Sequence, residues 1–209
     1  MHKNSYLKMK WFKNTYLDTS KKLNILDIGS LDKTGDFNYS TLFNEKEWGY
    51  TGIDIEAGHN VDIVVKDIYN WTEIKSNSYD VIISGQFFEH LEFFWRTLAQ
   101  IKRVLKPEGY VCIIVPSAGP KHGGGLPNCY IYNEDGLNAM AKEMGMEVLH
   151  TSIDRRKEAA PWHDACLVAH KTKAKPKPSK PKKDNRDKLV IQMDNLNKEM
   201  DSFLRDLKE

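Results

Sequence analysis

The stretch "LNILDIGSLDKTGDF", residues 23–37, decides how the rest of the chain is read. An apolar run stops at Asp27-Ile28-Gly29 and gives way to small, polar and flexible residues, the pattern of a buried strand that delivers its chain to a ligand. Position 31, where a dinucleotide fingerprint needs its second glycine, is Leu. Gly29 and Gly35 instead bracket a longer loop, and glycine lets backbone amides come close to a bound group. Taken alone, the stretch is equally a strand followed by a turn.

Outward from it, short β-rich runs alternate with helical patterns as far as about residue 170, which predicts a parallel sheet covered by helices. The strand candidates are 23–28, 50–55, 61–65, 79–84, 110–115, 146–153 and 165–170. After the fourth, Phe94, Leu98, Ile101 and Leu105 share one helical face, and "KPEG" predicts its end, with Pro107 stopping the helix and Gly109 releasing the chain. A further helix is expected over 134–144. The last two strands have no helix between them, so they form an antiparallel hairpin with 154–163 as its loop. The predicted fold class is therefore α/β: a seven-stranded, Rossmann-like, mostly parallel sheet with helices on both faces and a terminal antiparallel hairpin, followed by a flexible linker and a coiled-coil-like helix.

The 209 residues are 40% hydrophobic, enough for one domain with a core and some additional chain. Four segments are expected: an N-terminal helical segment, 1–22, packing on the core; the α/β domain, 23–170; a Lys/Pro-rich linker, 171–188; and an amphipathic heptad helix, 189–209. The linker holds eight Lys and one Arg against two Asp, +7 of a total of +2, so the rest of the chain carries −5. A mildly acidic domain argues against a nucleic-acid partner. The linker reads as a solvated, self-repelling spacer, with a patch for an anionic partner as the alternative. Leu189, Met193, Leu196, Met200, Phe203 and Leu207 form a heptad seam, which predicts self-association or packing onto the protein's own surface.

Cys112, Cys129 and Cys166 are widely spaced, without a CxxC pair, which fits a reducing compartment rather than a disulfide framework. No targeting pattern and no run of 18 apolar residues is present, so a cytoplasmic protein without a membrane span is expected. None of the seven His stands at metal-ligand spacing with another His or Cys, and no dedicated metal site is read.

In an open parallel sheet, ligands gather at the carboxyl ends of the strands. The first strand ends in Asp27, Gly29 and Ser30. The second ends in "YTGIDIEAG", where Asp54 is positioned to accept the hydroxyls of a ribose, with Ile55 beside it. The third ends in "VVKDIYNW", where Asp67 can accept from an adenine amino group and Ile68 can cover the ring. After the fourth comes "SGQFFEHLEFFW", where Gln86 faces the cofactor and Glu89 and His90 open a helix beside the reaction centre. Each residue has a purely structural reading as well, as turn or cap. Carboxylates at three successive strand ends suit an adenosine ligand better than chance.

The set "ILDIGS", "YTGIDI", "KDIYNW", "YDVIISGQFFEHL" and "IKRVLKPEGYVCIIVPS" resembles the class I S-adenosylmethionine-dependent methyltransferases, in particular a methyltransferase-domain group often found with glycan-biosynthesis enzymes. The distal "PSAGPKHGGGLPNCYIYNEDG" and "PWHDACLV" resemble one branch of that group, with Asn128 and Ile131 standing where Asp and Arg are usual. The resemblance implies S-adenosylmethionine as cofactor, with Asp27, Gly29, Ser30 and Gly35 on the methionine part, Asp54 and Ile55 on the ribose, Asp67 and Ile68 on the adenine, and Gln86 completing the pocket. It also implies methyl transfer to a hydroxyl of a small-molecule or glycan acceptor. His suits the proton removal that a hydroxyl needs near neutral pH. His122, in the loop after the fifth strand, and His90 are the two candidates, with Glu89 adjacent; His163 is expected to be structural. Two other functions compete: a nucleotide-sugar oxidoreductase using an NAD-type cofactor, for which "GSLDKTG" is a poor fingerprint, and a non-catalytic methyltransferase-like interaction module.

Overall fold

The computed structural model describes residues 2–33, 38–122 and 125–173. Gly35, most of the Lys/Pro linker and the whole heptad segment 189–209 lie outside the described residues.

The chain runs α1 (Lys3–Tyr16), β1 (Asn24–Ile28), β2 (Gly49–Asp54), β3 (Ile63–Val64), β4 (Tyr79–Gly85), α2 (Phe94–Val104), β5 (Leu105–Val115), α3 (Glu134–Met144), β6 (Glu147–Ile153) and β7 (Ala165–His170). One seven-stranded sheet has the order β3-β2-β1-β4-β5-β7-β6. Its first five strands are parallel, whereas β7 pairs antiparallel with both β5 and β6. The strand order reverses between β1 and β4, the switch point at which open α/β sheets leave a crevice.

Side chains alternate between the faces of a strand, so both faces of the central strands must be apolar if helices cover both. Leu26 and Ile28 of β1, Ile82 of β4, and Val111, Ile113 and Val115 of β5 face a layer that includes Leu98 and Ile101 of α2 and Leu137 and Met140 of α3. The intervening Ile25, Val81, Ile83, Cys112 and Ile114 face Leu7, Met9, Trp11 and Phe12 of α1 together with Leu42 and Phe43. The double-sided apolar runs in the sequence are the direct record of these two layers.

Two local expectations are corrected. Leu105 belongs to β5, not to α2: the helix ends at Val104, and Leu105 is already extended and paired with Tyr79. Pro107 disfavours helical backbone in the residue before it, so the chain turns extended ahead of "KPEG" and carries those residues within the strand, with a register shift opposite Tyr79 and Val81. Glu89 and His90 do not open α2. They sit on a separate 3-10 turn, Phe88–His90, which ends at an extended Leu91, and α2 starts only at Phe94. Helix α3 matches its expected bounds and shows why: the Asn133 side chain accepts from the Gly136 amide at its start, and Gly145, left-handed at φ 69, ends it.

Candidate active site

The carboxyl ends of β1 and β4 open into a cleft lined by Asp27, Gly29, Ser30, Asn38, Gly85 and Gln86 among others. Backbone conformation makes the opening. Gly29 turns left-handed at φ 74, with its amide and that of Ser30 both donating to the Ile53 carbonyl, 2.9 and 3.1 Å. A β-carbon at Gly29 would run into the Phe87 ring, and one at Gly85 into the buried Tyr39 side chain. Glycine is required at both positions by space, and at Gly29 by dihedral angle as well.

Asp27 is buried at the cleft. Its Oδ2 accepts a short hydrogen bond from the Tyr50 hydroxyl, while among the described residues its Oδ1 has no hydrogen-bond partner. Burial pushes its carboxyl up to about 7, against the lowering effect of the Tyr50 hydrogen bond. Asn60 ties this corner together, donating from Nδ2 to the Tyr50 hydroxyl and to the Ser30 carbonyl, both at 3.0 Å. Asp54, at the tip of β2, accepts from the backbone amides of Ile55 (2.7 Å), Glu56 (3.3 Å) and Leu31 (3.2 Å). Position 31 thus contributes its backbone to the site, a role that Leu fills as well as glycine does.

Asp67 and Ile68 follow β3, farther along the same edge. Asp67 is exposed and its Oδ1 accepts from the Tyr69 amide at 2.8 Å, while Ile68 is half-buried, its carbonyl accepting from the Trp71 indole. Neither lines the cleft around Asp27, and Ile55 is half-exposed beside Asp54.

Beyond Gln86 lies a second constellation. Gln86, left-handed at φ 59, donates from Nε2 to Asp164 Oδ1 at 3.0 Å. Asp164 is 1% exposed, and burial pushes it up to about 7. His2 reaches the same oxygen, 3.4 Å away, with its ring stacked on Trp162. Glu89 is 0% exposed, and among the described residues neither of its carboxylate oxygens has a hydrogen-bond partner. Burial pushes it up to about 8, and the charge of Asp164 adds to the shift. Facing Glu89 Oε1 are His122 Nε2 at 3.6 Å and His90 Nε2 at 3.8 Å. The two imidazoles meet edge to face at 5.3 Å, and His122 also packs against Trp162 at 4.4 Å. Burial holds His90 below its ordinary value.

The structure therefore brings Glu89, His90 and His122 into one cluster and Asp27, Gly29, Ser30 and Gln86 into one cleft, with Gln86 and Asp164 leading from cleft to cluster. His163 stands apart, its Nδ1 donating to the Asp154 carbonyl at 2.9 Å. Sequence reasoning missed Tyr50, Asn60, Asp164 and His2. Only Asp164 had a signal, because "PWHDACLV" was already a recognised block without an assigned role. Chemically, the arrangement offers a buried anion for a cationic group at one end and a proton acceptor in a water-poor pocket at the other.

Residues 36–113 match the family model of a methyltransferase domain. Among curated proteins, none matches the sequence closely enough to be called a relative. Several solved structures share the fold. A S-adenosylmethionine-dependent methyltransferase from Aquifex aeolicus is similar at TM-score 0.55 and 16% identity, over 82% of this chain and 100% of the other. The 1,6-didemethyltoxoflavin-N1-methyltransferase of Burkholderia thailandensis, bound to its substrate and S-adenosylhomocysteine, gives 0.59 and 14% over 81% and 84%. A methyltransferase from Haloferax volcanii, in complex with the Trm112 methyltransferase activator, gives 0.60 and 13% over 81% and 91%. The fold is that of the S-adenosylmethionine-dependent methyltransferases, and S-adenosylmethionine is the cofactor consistent with it.

Proposed function

We propose that the chain is a S-adenosylmethionine-dependent methyltransferase acting on a hydroxyl of a small molecule, with a sugar or glycan intermediate as the acceptor class and a His as the proton acceptor. The observation that carries the reading is Asp27, a buried carboxylate at the cleft whose Oδ1 has no hydrogen-bond partner among the described residues. A buried, underused carboxylate calls for a cation or a proton, and the α-ammonium of the cofactor's methionine part is such a cation.

The residues present fit this cofactor. Gly29 and Gly85 keep the backbone at the mouth of β1 and β4 free of side-chain bulk. Asp54 retains acceptor capacity for ribose hydroxyls beyond its three amide donors, since its two oxygens offer about four lone-pair positions. Asp67 and Ile68, on the loop after β3, suit the adenine end. When bound, the cofactor supplies an electrophilic methyl group on a sulfonium sulfur.

The chain's own contribution is alignment and exclusion of water, worth about 7–11 kcal/mol when alignment is ideal. The Tyr50 and Asn60 hydrogen bonds hold Asp27 and the Ser30 carbonyl rigidly. At the acceptor end, His122 is 27% exposed and so reachable, whereas His90 is 12% exposed and Glu89 fully buried. This ranks His122 first as base, with Glu89 facing its Nε2.

Thermal-shift titration separates cofactor classes: S-adenosylhomocysteine raises the melting temperature and NAD does not, and a shift with NAD alone would sink the proposal. Transfer of label from tritiated cofactor into a glycan fraction of host extract is expected; label only in RNA or protein would overturn the acceptor class.

A further inference from the structure

We propose that Glu89, His90 and His122 form a binding site for a divalent transition-metal cation. The three donor atoms, one carboxylate oxygen and two imidazole nitrogens, all lie within 4.8 Å of one another. Bonds of about 2.1 Å at tetrahedral angles put neighbouring donors roughly 3.4 Å apart. The Glu89 to His122 and Glu89 to His90 separations, 3.6 and 3.8 Å, need to close by only a few tenths of an ångström. Both are too long for hydrogen bonds.

The tautomers are set for ligation. His90 Nδ1 lies 2.7 Å from the Pro127 carbonyl, which only accepts, so the proton is on Nδ1 and the Nε2 lone pair points toward Glu89. His122 Nδ1 lies 3.2 Å from the Pro120 carbonyl, which favours the same tautomer. Asn128 Nδ2 stands 3.3 Å from that nitrogen, so this tautomer requires the Asn128 amide turned to present its oxygen. Backbone carbonyls holding the far nitrogen of each imidazole are the usual outer support of a metal-binding His. Two lone pairs therefore converge on a fully buried carboxylate that has no hydrogen-bond donor among the described residues. Three acceptors facing one another repel unless a cation or a proton lies between them, and a metal cation meets all three at once.

The donor set selects the ion. Two imidazoles and one carboxylate suit Zn²⁺, Fe²⁺, Co²⁺ or Ni²⁺, whereas Mg²⁺ and Ca²⁺ take oxygen donors. Three protein ligands leave a coordination position open. On the methyltransferase reading, on which this last point rests, that position would hold the acceptor hydroxyl and the ion would raise its acidity, the proton passing to solvent at the partly exposed His122 edge. With the ion bound, His122 acts as ligand instead of base.

The test uses the full chain, stripped with a chelator, desalted and titrated with Co²⁺ while the visible ligand-field bands are recorded. Saturable binding of one Co²⁺ per chain is expected. His122→Ala and Glu89→Gln should weaken it by more than the roughly 10–100-fold that loss of an outer support costs, while His59→Ala, exposed and outside the cluster, leaves it unchanged. The thermal shift with S-adenosylhomocysteine, read on the same samples, reports whether each variant is folded. No saturable binding, or binding undiminished in a folded His122→Ala protein, overturns the metal site. Cobalt binding without any S-adenosylhomocysteine shift would instead overturn the methyltransferase reading and leave the metal site standing.

Discussion

Asp27 carries the most consequence of any single residue. Its carboxyl, raised to about 7 by burial, is largely protonated in mildly acidic solution when the cleft holds no cation. Under the proposed function a bound α-ammonium favours the carboxylate, so binding releases a proton below about pH 7 and affinity rises with pH through that window. Isothermal titration with S-adenosylhomocysteine should show affinity increasing by up to about tenfold per pH unit below 7 and levelling above it. Asp27→Asn should bind more weakly and lose the slope; an unchanged slope in that variant would detach the pH dependence from Asp27. At the other end of the site, the proposed function has His122 serving the acceptor and not the cofactor. His122→Ala is expected to lower the single-turnover transfer rate by about 10²–10⁴-fold, with S-adenosylhomocysteine affinity kept within about twofold. A matching loss of cofactor affinity would return His122 to a structural role.

The elements explain how these residues come to be where they are. Strand β1 is followed by a glycine that must be left-handed and must have no β-carbon, and β4 ends on another with no room for one, so the two central strands can deliver their tips to one cleft. Helix α3 has a sharp start because Asn133 accepts from the Gly136 amide at 2.9 Å. Asn133→Ala should cost about 1 kcal/mol in urea unfolding, with the slope of the transition unchanged; no loss would mean that water caps the helix equally well. The extended backbone of β5 begins at Leu105, one residue before the Lys106 from which Pro107 bars helix. A helix face counted by periodicity alone therefore overruns by one residue.

For the whole molecule, two apolar layers matter more than any one element. Helix α1 covers the face of the sheet opposite α2 and α3, with Leu7, Met9 and Phe12 fully buried there. Phe12→Ala should destabilise the protein by about 3–5 kcal/mol in denaturant unfolding, and a loss below about 1 kcal/mol would mean that α1 is a loosely attached cover. Among the described residues no helix is long and apolar enough to cross a membrane. The heptad seam of residues 189–207 is a proposal about assembly: light scattering should give a larger mass for the full chain than for a chain ending before it, and equal masses per chain would remove the idea.

The amino-acid sequence by itself determined the layered α/β architecture, because burial on both faces of parallel strands writes continuous apolar runs and each strand end must be punctuated by polar or flexible residues. It also marked Asp27, Gly29, Asp54 and the "GQFFEH" turn, since these lie at strand ends where local pattern and position coincide. Only the tertiary structure decided which side chains share a space. The Tyr50 hydroxyl meets Asp27 because β2 lies parallel beside β1, with Ile25 opposite Tyr50. Asp164 enters the site because β7 inserts between β5 and β6 and starts at their rim. Glu89, His90 and His122 converge from loops after different strands, a proximity that no spacing in the sequence encodes, because it is set by the register of β4 against β5 and by the packing of the loops that follow them.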